Sequence, residues 1–157
     1  MNENNPRKLF NLRNPVHFLA LGFGSGLAPK APGTFGTIAA LPFIFLLAQF
    51  STNVFIVGAV VISLLGIWIC DKASKDAGVH DHGAIVWDEI AGFTITMIAI
   101  PLSWQTLLMG FIIFRIFDII KPWPISLADK KVGGGFGIML DDIIAGILAL
   151  TLMHIIF

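Results

Sequence analysis

Charge is scarce in this chain: ten acidic and ten basic residues among 157, 13% of the whole, with the two signs cancelling. Without a basic field, nucleic acid drops out as a partner class. Cysteine is scarcer still. Cys70 stands alone, which excludes an intramolecular disulfide and a cysteine-rich metal site. Three familiar phosphoryl-transfer signatures are also missing. Cys70 is followed six residues on by Asp76 rather than arginine, no arginine precedes a proline as Lys-x6-Arg-Pro requires, and no Asp-x-Asp occurs. A signal peptide is not expected either. Arg7, Lys8 and Arg13 precede an apolar run, but Gly22, Gly24, Gly26 and Pro29 break it, which suits neither a leader nor a clean first span.

What the chain does have is apolar surface. Hydrophobic residues make up 56% and the mean hydropathy is +0.86, whereas soluble domains hold nearer about 45–50% apolar residues. The expectation is a single integral membrane domain over 1–157, with 1–34 as a cytoplasmic arm and membrane-edge loop containing one short helix near His17 to Leu21. Five apolar segments follow: Phe35 to Phe50, Val54 to Cys70, Ile85 to Ile100, Gln105 to Ile120 and Ile143 to Phe157. As helices of roughly 16 residues they reach about 25 Å, slightly short of a roughly 30 Å hydrocarbon core. The fold class is therefore all-α, a polytopic helical bundle of about five short transmembrane helices. No internal repeat or heptad pattern occurs.

The charges give an orientation. All twenty lie before Phe35, between Asp71 and Glu89, or between Arg115 and Asp142. The positive-inside rule then puts the N-terminus in the cytoplasm and the C-terminus outside. That topology brings three acidic clusters to one depth: Asp88 and Glu89 opening the third span, Asp118 closing the fourth, and Asp141 and Asp142 opening the fifth. Ionisable groups at membrane depth are costly, and they mark paired or functional sites. Five carboxylates are not neutralised by Arg115 and Lys121, and an all-oxygen set suits Mg²⁺. Small residues follow the acids at helical spacing, Ala145, Gly146 and Ala149 after Asp142 and Gly92 after Glu89, so the helices can approach closely. Asp88 and Asp141 are also candidate helix caps.

Other stretches suit a phosphate. In PGTFGT, Pro32 to Thr37, Thr34 reads as an N-cap with free amides behind it and Lys30 nearby. The glycines of VGGGFG, Val132 to Gly137, read as a loop ahead of a helix, though without a P-loop ending. His80 and His82 flank Asp81 in a solvated turn, while His17 and His154 stand alone.

Taken together, PGTFGT, VWDEIAG (Val86 to Gly92), FRIFDIIKPWPI (Phe114 to Ile125) and GGGFGIMLDDIIAG (Gly133 to Gly146) closely resemble the phosphatidylglycerophosphatase A family. The resemblance implies an all-helical, Mg²⁺-dependent phosphatase of the bacterial inner membrane. Such an enzyme converts phosphatidylglycerophosphate to phosphatidylglycerol, with the lipid as its partner and no protein partner implied. Beyond both lines, Glu89, Asp118 and Asp142 are expected to hold Mg²⁺, with Asp88 and Asp141 as support or as activators of water. Arg115, Lys121 and Lys30, with Thr34 and Thr37, would bind phosphate oxygens. Spacing leaves the nucleophile open between water and a carboxylate. The competing class is a small transporter or channel subunit using the carboxylates as an ion relay; it calls for charge deeper in the spans than this chain has.

Overall fold

The structure, a computed structural model, describes residues 5–157. Every regular element among them is helical: α1 (Pro6–Leu9), α2 (Pro15–Ala20), a 3-10 turn (Ser25–Leu27), α3 (Pro32–Ile38), α4 (Leu41–Leu47), α5 (Thr52–Ala77), α6 (Trp87–Thr96), α7 (Trp104–Ile120), α8 (Ile125–Lys131) and α9 (Gly134–Ile156). Local chemistry sets several boundaries. The Asn5 and Asn14 side chains accept the amides of Arg7 and Val16 ahead of a first-turn proline, and Ser103 and Thr106 form a capping box that starts α7. Gly78, left-handed at φ 71°, closes α5.

Two helices, α5 with 26 residues and α9 with 23, are long and apolar enough to cross a membrane. The fourth expected segment forms α7, one residue longer at its start, while the remaining expected segments differ in their bounds. The first is divided at Ala39 and Ala40 into α3 and α4, and the third forms only the ten residues of α6. At 1.5 Å per residue α6 is about 15 Å long, too short to span alone. The second runs on to Ala77 because Lys75–Asp71 and Lys72–Asp76 pair at i,i+4, each at 2.7 Å, and carry the helix past its apolar part.

The fifth starts at Gly134 instead of Ile143. A Cβ on Gly135 would lie 2.0 Å from the Ile67 carbonyl oxygen, and the Gly135 amide donates to Asp71 Oδ1 at 3.1 Å. The glycine run is thus a helix start pressed onto α5, not an open loop. Asp141 and Asp142 consequently sit well inside α9, so Asp141 does not cap it. Nor does Asp88 cap α6, whose N-cap is Val86. Thr34 is likewise inside α3, capped by Ala31.

The two ends of the bundle differ. Ala48, Phe50, Ile100 and Pro101 line one shared cavity, so the two uncharged connections meet. At the opposite end the N-terminal segment packs on the charged connections. His17 does not stand alone there: its Nε2 lies 2.9 Å from Asp76 Oδ2 and its Nδ1 accepts the Asn11 amide. His154 reaches the Ile98 carbonyl oxygen at 3.0 Å. Phe93, Phe114, Met139 and Met153 are buried in the core, while Val57, Leu64, Trp68, Leu108 and Ile119 face outward. So much exposed apolar surface is what a lipid environment accepts and water does not.

Candidate active site

The site begins with two glycines. A Cβ on Gly146 of α9 would lie 2.5 Å from the Gly92 carbonyl oxygen of α6, and one on Gly92 would meet the Phe114 ring at 2.5 Å and the Asp142 carbonyl oxygen at 2.8 Å. Only glycine lets these backbones touch. Buried Ala145 and Ala149 extend the contact, and Thr96 Oγ1 donates to the Gly92 carbonyl at 2.9 Å. One turn toward the charged end, this crossing brings Asp88 and Glu89 of α6 against Asp142 of α9. Each of the three offers a carboxylate oxygen within 4.8 Å of the other two.

Within each acidic pair the first residue serves the backbone: Asp88 Oδ1 accepts the Glu89 amide at 3.1 Å and Asp141 Oδ1 the Asp142 amide at 3.0 Å. Asp118 of α7 lies beside Asp142 but is engaged with cations. It accepts from Arg115 Nη1 through Oδ2, and its Oδ1 stands 3.8 Å from Lys121 Nζ. Lys121 also donates to Asp141 Oδ2 at 2.7 Å, tying the end of α7 to α9. Burial alone would lower the Lys121 pKa; the hydrogen bond to Asp141 and the charges of Asp141, Asp142 and Asp118 outweigh it and raise it.

Three buried side-chain atoms here have no hydrogen-bond partner: Glu89 Oε2, Asp142 Oδ2 and Arg115 Nε. Two are anionic acceptors and one a cationic donor. Buried polar groups are normally satisfied, so the two carboxylate oxygens suit a cation and the arginine nitrogen suits an anion. The set of buried Asp88 and Asp142 with half-buried Glu89 can hold a metal by its all-oxygen chemistry.

Of the expected phosphate binders, Arg115 and Lys121 join this centre. Lys30 is exposed and Thr34 half-buried. The Thr37 hydroxyl is spent within its helix on the Gly33 carbonyl at 2.7 Å. Sequence reasoning misses Gly33 itself, where a Cβ would stand 3.1 Å from both Arg115 Nη1 and Glu89 Oε1. Its place in PGTFGT is the signal that could have found it.

Fold and site together define a class: an all-helical protein with apolar helices of membrane-crossing length and a buried carboxylate centre flanked by arginine and lysine. Comparison with known sequences narrows it. The family model of phosphatidylglycerophosphatase A matches residues 18–157, and the chain belongs to that family. Phosphatidylglycerophosphatase A of Haemophilus influenzae is 49% identical over 158 residues, covering 99% of this chain and 97% of the relative. The protein of the same name from Escherichia coli K12 is 47% identical, covering 92% and 85%. No solved structure matches.

Proposed function

We propose that this centre hydrolyses the terminal phosphomonoester of phosphatidylglycerophosphate, releasing phosphatidylglycerol and phosphate, with Mg²⁺ held by Asp88, Glu89 and Asp142. The observation that carries the proposal is the set of three unpartnered buried atoms, two carboxylate oxygens and one guanidinium nitrogen, on residues of which Glu89 and Arg115 border the same space beside Gly33. A Mg²⁺–phosphomonoester pair complements both halves. Bound there, Mg²⁺ supplies charge that polarises the phosphoryl group and lowers the pKa of a nearby water.

The remaining work belongs to the chain's own residues. Asp118 fixes Arg115 by the ion pair at Nη1, which leaves the rest of the planar fork to take phosphoryl oxygens as charge builds on them. Asp141 holds Lys121 at the rim, where it adds a positive charge beside the entering phosphate. Gly33 leaves room for both Arg115 and Glu89 to face the same space. Asp118 thus acts through Arg115 while bordering the metal group, and Lys30 and Thr34 lie at the approach to the site.

The protein works in the bacterial inner membrane. Its five spans are α3 with α4, α5, α6 with the turns after it, α7 and α9, and the shorter ones among them are accommodated by local thinning of the bilayer. The N-terminus and the active site face the cytoplasm and the C-terminus faces out, in keeping with the basic residues gathered at the charged end. A site at that depth receives a headgroup from the membrane surface. Purified protein in mixed micelles is expected to release phosphate and phosphatidylglycerol in equal amounts and to prefer the lipid strongly over glycerol 3-phosphate, which lacks the anchoring chains. Comparable turnover of glycerol 3-phosphate, or diacylglycerol among the products, would contradict the proposal.

A further inference from the structure

Below the carboxylate centre lies a groove of about 370 Å³ with a wholly hydrophobic lining, within the roughly 300–1,000 Å³ range of small-molecule sites. Its walls continue the elements that build the site. Ile38 and Leu41 follow Gly33 down α3 and into α4, Phe93 lies one turn beyond Glu89 on α6, and Phe111 lies one turn before Arg115 on α7. Phe93 is buried and meets Phe111 edge to face at 5.9 Å, which makes a firm floor, while Ile38 and Leu108 are exposed at the walls. Along α7 the groove runs from Phe111, one turn short of Arg115, to Trp104, seven residues and so about 10 Å.

We propose that this groove binds one fatty acyl chain of the lipid phosphomonoester, so that the site recognises a chain as well as a headgroup. The inference rests on the proposed function, because the occupant is the substrate of that same site. A chain lying along α7 places its headgroup at Arg115 and Glu89 without a bend away from the protein, since one helix carries both ends. A second apolar groove, lined by Ile56, Val60, Leu64 and Ile147 among others, has no residue of α3 or α7. It therefore does not lead to Gly33 and Arg115.

The test compares kcat/KM for long-chain and short-chain phosphatidylglycerophosphate in micelles of one detergent, at fixed surface concentration. Ile38→Trp and Leu108→Trp fill the groove, and Leu64→Trp, on the other face, is the control. The long-to-short ratio is expected to fall about tenfold in the groove variants, the equivalent of losing one or two buried methylenes, and to stay at the wild-type value in the control. Thermal unfolding in the same detergent identifies any variant that is misfolded, and Leu107→Phe then replaces it. An unchanged ratio in folded groove variants, or an equal fall in the control, overturns the acyl-chain site. Wild-type protein inactive on both lipids would instead overturn the phosphatase proposal on which the site rests.

Discussion

Arg115 carries the sharpest demand on side-chain identity. Its guanidinium is paired with Asp118 on one edge and unpartnered at Nε, a geometry that a lysine's point charge does not reproduce. Arg115→Lys is expected to lower kcat by about 10²–10³, the scale of removing one preorganised donor, with its stability in detergent changed little; phosphate-release kinetics check it. Asp81 offers a pH test outside the spans. Although the residue is exposed, loss of solvent around its carboxyl and the like charge of Asp141 push its pKa up to about 6 against the pull of Lys121 and His80. The folded state then binds more protons than the unfolded chain between about pH 4 and 6, so stability falls as pH rises through that window. Asp81→Asn should flatten this slope in thermal-unfolding scans across pH; an unchanged slope would assign it to other groups.

The α6–α9 crossing depends on Gly92 and Gly146, where added Cβ atoms meet backbone oxygens at 2.8 and 2.5 Å. Gly146→Ala should separate the helices, costing about 1–3 kcal/mol of stability as overpacking, and should reduce turnover more than tenfold by misplacing Asp142. Melting and turnover of the same preparation test both. Much of this element was legible from sequence, because Asp142, Ala145, Gly146 and Ala149 repeat at helical spacing and small residues at that spacing signal close packing. The start of α9 was not legible. A run of glycines reads locally as a loop, and only the tertiary contact of Gly135 with Ile67 and Asp71 explains why it is helical. For the same reason the acidic pairs were found while the division between them was not. Asp118 and Asp88 share one depth with Glu89 and Asp142, but which of them joins the carboxylate cluster of Glu89 and Asp142 depends on Arg115 taking Asp118.

At the scale of the whole molecule, the separation of a charged end from an uncharged one makes a topological prediction. In a Cys70→Ser background, Thr52→Cys or Ser103→Cys should react with an impermeant thiol reagent applied to intact cells, and Ser126→Cys should not. Labelling at Ser126 would invert the orientation and move the site to the other face. The central claim is that Asp88, Glu89 and Asp142 hold the Mg²⁺ on which hydrolysis depends, and a metal titration tests it most directly. Phosphate release from phosphatidylglycerophosphate is followed in mixed micelles as Mg²⁺ is raised from a chelated baseline, for the wild type and for Asp142→Asn. The wild type should be inactive at baseline and saturate with Mg²⁺, while the variant should need at least about tenfold more metal, the scale on which altering a ligand shell weakens a site. Wild-type release that persists in chelator, or a variant with the wild-type Mg²⁺ dependence, would contradict the account.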